Sequence, residues 1–216
     1  MCSAVQSWAA KPFFYNVAGA VLEYERTDAA THRHVYTHFM TIESVENLGG
    51  GVEHVVYNTR IVLPDNSLKY GGVLNLTADI TPEGDVRMNV GQTLLAVVRN
   101  YFPRMRAEVS GGDSVLPASM TPGDVLQDAH AAGRVSSFNV AVDVTERTVL
   151  RKETITTPAG SFDCMVVRER KVEKWPMGSR KTMSLTWYAP GYGMIRHDTY
   201  NMKNVLETSE VLVNIK

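Results

Sequence analysis

Cysteine is scarce in this chain of 216 residues: only Cys2 and Cys164 are present. Two thiols allow at most one bridge, so no disulfide framework defines the fold. A chain of this length buries enough core to do without one. Net charge is almost absent, with 22 Lys and Arg against 23 Asp and Glu, a formal value of -1. That balance removes the overall steering field with which proteins attract nucleic acid or an acidic membrane. No run reaches the roughly 18 apolar residues of a membrane-crossing helix. The first residues lack a basic start followed by an apolar core, so no intact signal peptide is expected. Two histories fit: a cytoplasmic protein, or an exported one whose leader has been removed. Cys2 suits the second, as the lipidated cysteine of a lipoprotein or a thiol near the mature end.

The motifs of several enzyme classes are also missing. There is no G-x-x-x-x-G-K-S/T phosphate loop and no G-x-G-x-x-G after a strand, and no serine sits in G-x-S-x-G. No βαβ rhythm appears, which disfavours a parallel nucleotide-binding sheet.

What is present is globular and strand-rich. Hydrophobic residues make up 44% and charged residues 21%, values that exclude a disordered chain. In Phe138–Thr145, Phe138, Val140, Val142 and Val144 alternate with Asn139, Ala141, Asp143 and Thr145, the period of a half-buried strand. Further strands are expected over 17–26, 32–45, 52–62, 68–78, 86–90, 162–175, 181–188, 194–200 and 205–215, about ten in all. Turns fall at Gly49-Gly50-Gly51, Pro64-Asp65-Asn66, Pro158-Ala159-Gly160, Pro176–Ser179 and Pro190–Gly193. Trp8, Phe13, Phe14 and Tyr15 anchor an irregular start. Leu94, Leu95, Val98, Tyr101, Phe102 and Met105 recur at helical spacing, predicting one main helix near residues 92–105 with Thr93 as a cap. Pro103 argues that it stops near 101, with a turn or short strand after it. Gly111 to Gly123 reads as loop. The expected fold is mainly β: a large twisted antiparallel sheet, half-barrel or sandwich-like, in a single domain over 1–216, with a weak subdivision near residue 120 as the alternative.

The most suggestive constellation is His32, His34 and His38. On one strand they share a face with Tyr36, and His32 and His34 are the candidates to ligate a metal. His38 lies about 13 Å beyond His34 at the usual strand rise, too far to join them. Cys164, His197 and Asp198 supply the residue types of a nucleophilic triad, but adjacent strand residues point apart and Cys164 has no activating helix terminus. No catalytic residue and no cofactor is assigned. The basic stretch Arg168, Arg170, Lys171 and Lys174 is interrupted by Glu169 and Glu173 and reads as a solvated strand face, not a nucleic-acid site. The chain has ten methionines, and these adaptable side chains suit a pocket lining. Tyr101, Phe102, Met105, Trp175, Met183, Trp187 and Met194 are the candidate ligand-binding residues, with a filled core as the alternative.

Two blocks carry a resemblance to a known family. Glu153-Thr154-Ile155-Thr156-Thr157-Pro158-Ala159-Gly160-Ser161-Phe162-Asp163-Cys164 and Trp187-Tyr188-Ala189-Pro190-Gly191-Tyr192-Gly193-Met194-Ile195-Arg196 resemble signatures of the TapB-like envelope proteins of Bacteroidetes. Glu207–Val213 resembles that family's closing strand, and Gly19 with Leu22, Glu23 and Tyr24 its first. Pro122-Gly123-Asp124-Val125-Leu126 with Asp128 resembles its middle linker. The likeness is strongest over 147–213. It implies an exported protein whose curved sheet cradles a lipid or another hydrophobic ligand, or an envelope protein partner, in the periplasm, outer membrane or cell surface. It brings no catalytic residues. A structural component of an envelope complex is the alternative, with a hydrolase or metal-binding protein behind it.

Overall fold

The computed structural model describes residues 11–216, so Cys2 and Trp8 lie outside the described residues. In chain order the elements are β1 (Val21–Asp28), β2 (His34–Asn47), β3 (Glu53–Val62), β4 (Leu74–Ile80), β5 (Val86–Asn89), α1 (Val90–Tyr101), β6 (Ala107–Gly111), β7 (Asp113–Leu116), β8 (Ala129–Val135), β9 (Phe138–Thr157), β10 (Gly160–Trp175), β11 (Gly178–Ala189), β12 (Gly193–Tyr200) and β13 (Leu206–Ile215). The mainly β expectation with one helix is met, with thirteen described strands rather than about ten. They form one antiparallel sheet in the order β6-β8-β9-β10-β11-β12-β13-β1-β2-β3-β4-β5-β7.

The two edges of this sheet meet in one segment. β6 pairs with β8 and β7 with β5, and only Gly112 separates β6 from β7. The Gly112 N–H donates to the His130 carbonyl at 2.9 Å, and the Val90 N–H donates to the Gly112 carbonyl at 3.0 Å. The segment is thus bonded on both sides, and the sheet becomes a nearly closed barrel with a sandwich-like interior. Closure removes the edge strands that would otherwise recruit another chain.

β6 falls where a turn or short strand was expected after the helix, but β7 and β8 were not foreseen in the sequence, and 111–123 was read as loop. β8 is Ala-His-Ala-Ala-Gly-Arg-Val, poor in the β-branched and aromatic residues that mark strands. Its small residues answer to tertiary contacts. A Cβ on Gly133 would meet the Glu108 carbonyl oxygen at 2.5 Å, and one on Gly111 would meet Ala131 Cβ at 2.7 Å. Close approach at the seam, rather than propensity, selected these residues.

Two further boundaries move. The strand expected over 68–78 begins only at Leu74, because Gly71 takes a positive φ of 68° and the chain leaves the sheet there. The helix starts at Val90, capped by Asn89, whose side chain accepts from the Gln92 N–H at 3.0 Å. Thr93, expected as the cap, instead lies inside the helix. α1 ends at Tyr101, two residues before Pro103, so Met105 lies beyond it.

Three apolar clusters fill the molecule. The largest joins Val55, Tyr57 and Leu76 of β3 and β4 to Val149 and Val167 of β9 and β10. A second gathers Cys164, Val166, Trp187, Ile195 and Leu212. The third lies under α1, where Leu94 and Val98 meet Ala131, Val135 and Val140. Phe13 and Phe14 are buried, and the Phe14 ring meets Tyr57 edge-on at 5.4 Å. Gly193 makes that anchoring feasible, since it holds a φ of 80° and a Cβ there would stand 3.4 Å from the Phe14 backbone.

Candidate functional site

Polarity falls along the inner face of the barrel, strand by strand. Alternate residues of a strand share a face. On β2 that series is Tyr36, His38, Met40 and Ile42, and on β1 it is Arg26, Tyr24 and Leu22, with Arg26 opposite Tyr36, Tyr24 opposite His38 and Leu22 opposite Met40. β13 repeats it with Thr208, Glu210 and Leu212, and β11 with Thr182, Ser184, Thr186 and Tyr188. Antiparallel register aligns these series into a polar layer and an apolar layer.

The polar layer is organised by Glu210, only 4% exposed. Its carboxylate accepts from Tyr36 Oη at 2.8 Å, from His38 Nδ1 at 2.8 Å and from Arg26 at 3.0 Å. The Arg26 guanidinium also donates to Tyr36 Oη and to the hydroxyls of Thr199 and Thr208. Burial alone would raise the pKa of Glu210, but the His38 hydrogen bond and the nearby charges of His38, Arg26 and His197 outweigh it and bring the value down to about 2. An ionised carboxylate is acceptor-only, so His38 Nδ1 carries the hydrogen between them. His38 Nε2 is buried with no partner among the described residues, and its ring stacks on Tyr24 at 5.1 Å. His197 is hydrogen-bonded to the Thr186 hydroxyl at 2.8 Å, and burial holds its pKa below the ordinary histidine value.

Three adjoining cavities occupy the lumen. The polar one, about 240 Å³, lies among Arg26, Lys69, Lys171, Arg180, Ser184 and His197. An apolar one, about 260 Å³, is walled by Phe14, Tyr24, Met40, Tyr57, Tyr188 and Met194, with His38 at its rim. Between them a cavity of about 290 Å³ runs beside α1 along Leu94, Val97, Val142 and Trp175. It shares Tyr70, Lys171 and Glu173 with the polar cavity and Met88 and Thr93 with the apolar one.

The ligand-binding candidates are distributed rather than gathered. Met194 lines the apolar cavity and Trp175 the middle one. Phe102 meets Phe138 edge-on at 5.2 Å and lines, with Trp175 and Met177, a separate apolar recess of about 350 Å³. Trp187 sits in the second core cluster, its indole N–H donating to Glu153 and its ring beneath Arg196. Met183 is partly buried on β11 opposite Arg170 and Tyr200. Tyr101 and Met105 are each 46% exposed.

The metal candidates part company. His32 has a φ of 54° in the turn before β2, so it does not continue the strand face, and exposed His34 bonds only Thr37. Among the described residues no three His, Cys, Asp or Glu side chains are placed to hold a metal ion. The triad types do not converge either: Cys164 lies in the second core cluster, His197 faces the polar cavity, and Asp198 is held by Arg196 at 2.7 Å. The basic stretch also divides. Lys171 lines the polar cavity with Glu173 while its side chain stays 42% exposed, in keeping with the solvated reading, whereas Arg170 pairs with Glu146 at 2.8 Å outside that cavity's lining.

Sequence reading missed Arg26, Tyr36 and Glu210 as a unit, because 184 residues separate Arg26 from Glu210. One signal was available: Glu210 has the parity of Leu206 and Leu212, a charge on the strand face that carries both leucines.

Two crystal structures share this architecture. An exported protein with a YmcC-like fold, from Bacteroides fragilis, is 22% identical with a TM-score of 0.75, over 95% of this chain and 99% of that one. A protein described as a lipoprotein, from Parabacteroides distasonis, is 20% identical with a TM-score of 0.76, over 96% and 99%. At these identities the likeness is one of fold. Comparison with curated proteins gave no match. A family model does match, over residues 18–212, a span that takes in nearly the whole barrel and all of the polar layer, and the chain therefore belongs to the DUF3108-like family.

Proposed function

We propose that the protein is a non-enzymatic binder of a hydrophobic ligand, held in the lumen of the barrel and working in the cell envelope. The apolar cavity beside His38 carries the reading. Aromatic and methionine side chains wall it, and a chain that folds around an apolar void loses dispersion contacts which a ligand restores. The middle cavity extends the same space along α1. Met194 and Trp175 are the ligand contacts within it. The two fold relatives, one described as exported and one as a lipoprotein, support an envelope location. The resemblance to the TapB-like envelope proteins and a lipid anchor on Cys2 belong to the same proposal.

A structural role in an envelope complex is the second reading. It rests on the β10–β11 hairpin tip, where Met177 is fully exposed beside the apolar recess of Phe102, Phe138 and Trp175.

The test is native mass spectrometry of the protein gently isolated from a bacterial envelope. Added mass of several hundred daltons, lost on organic extraction and reduced in Met194→Trp, is the expected result. A bare protein mass, with wild type and Met194→Trp alike, overturns the binder reading and favours the structural one. Mass that resists extraction and maps to Cys2 marks the anchor.

A further inference from the structure

Most charges lining the polar cavity have an oppositely charged partner. Arg26 is neutralised by Glu210 at 3.0 Å, Lys171 by Glu173 at 3.3 Å and Arg180 by Glu207 at 2.9 Å, while Glu169 faces Arg147 at 3.6 Å. Lys69 differs. Its ammonium has no carboxylate within salt-bridge distance among the described residues, and rests over the rings of Tyr36 and Tyr70, with centroids at 4.4 and 5.5 Å. Aromatic faces attract a cation but do not neutralise it.

The fold holds this lysine in place. The chain between β3 and β4 folds back, with the Lys69 N–H donating to the Ile61 carbonyl at 2.9 Å. Tyr101 Oη donates to the Lys69 carbonyl at 2.8 Å, and Asn100 Nδ2 donates to the Val73 carbonyl at 3.1 Å. The end of α1 thus pins the segment over the polar cavity. Burial, reinforced by the neighbouring charges of Arg26, Lys171 and Arg180 and only partly offset by Glu210, pulls the Lys69 pKa down to about 8. An anion beside it would relieve both effects.

Tyr70 connects this cation to the apolar space. Its ring lies under the Lys69 ammonium and also lines the middle cavity, which leads along α1 to the apolar one. The lumen therefore presents one unneutralised positive charge at the polar end of a row of adjoining cavities that is apolar at its far end. We propose that the ligand is an anionic amphiphile, its carboxylate or phosphate head on Lys69 in the polar cavity and its alkyl tail in the adjoining cavities. This deepens the binder reading and depends on it.

Three probes with one dodecyl chain separate head from tail: laurate, dodecyl phosphate and dodecanol. Binding is measured by displacement of a fluorescent apolar dye from the wild type, Lys69→Gln and Lys69→Arg, with circular dichroism as the control for folding. The expected result is that laurate, dodecyl phosphate or both bind at least about tenfold more tightly than dodecanol. Lys69→Gln should abolish that preference while leaving dodecanol binding unchanged, and Lys69→Arg should keep it. Which anion is tighter identifies the head as carboxylate or phosphate. Dodecanol binding as tightly as the anions, or a preference intact in Lys69→Gln, overturns the assignment to Lys69 and leaves the binder reading standing. No binding by any of the three overturns both.

Discussion

Replacing Glu210 with glutamine removes the one negative charge on which Arg26, Tyr36 and His38 converge. The carboxyl lies at about 2 in the folded protein against an ordinary 4.5. One pKa unit is worth about 1.4 kcal/mol, so the ionised group contributes about 3 kcal/mol at neutral pH. The sign follows from the direction. A carboxyl depressed by folding gives its full stability above the unfolded value, and loses it as the pH falls toward the folded one. Between pH 7 and pH 3 the wild type should lose about 2 kcal/mol that Glu210→Gln never had. Urea unfolding followed by tryptophan fluorescence at pH 7, 5 and 3 measures this. His197, kept neutral by burial, adds its own acid sensitivity below its unfolded pKa, and because the Glu210 charge raises the His197 pKa, the same comparison in a His197→Gln background isolates Glu210. A gap between wild type and variant that stays constant from pH 7 to pH 3 would refute the reasoning.

Arg26→Met leaves Glu210 without its guanidinium and should cost about 3–5 kcal/mol, whereas Arg26→Met with Glu210→Leu should recover much of it, since removing both partners of a buried pair is far cheaper than removing one; the same urea titrations compare them. Gly133→Ala places a methyl 2.5 Å from the Glu108 carbonyl oxygen and should destabilise the barrel seam by about 1–3 kcal/mol, seen as a lower Tm, while an unchanged Tm would mean that β6 and β8 can move apart freely. The Cys164 thiol is pushed up to about 12 by burial, with Asp163 and Glu153 adding to the effect. It should therefore resist iodoacetamide at pH 8 in the folded protein and react only after denaturation, as read by peptide mass spectrometry; rapid labelling of the native state would contradict its place in the core.

The alternation of β9 through β13 was legible because each strand has a buried and a less buried face, and the period of two is written in the residues themselves. The helix was legible from its apolar spacing, and its end from Pro103. β8 was not, since its alanines and glycine are set by how closely the seam must approach, a constraint from distant segments. Parity marked His38 but misplaced His32, because a positive φ breaks the strand before β2 in a way that residue types do not announce.

The sequence by itself determined a mainly β chain, its one helix and the elements of its second half, because local periodicity and turn chemistry suffice for these. Only the tertiary structure decided that the sheet closes on itself and that Arg26, Tyr36, His38 and Glu210 share one buried charge network. It also decided that Lys69 faces the lumen without a carboxylate partner. Each of these depends on which strands become neighbours and in what register, and burial gives meaning to a charge only after that pairing is fixed.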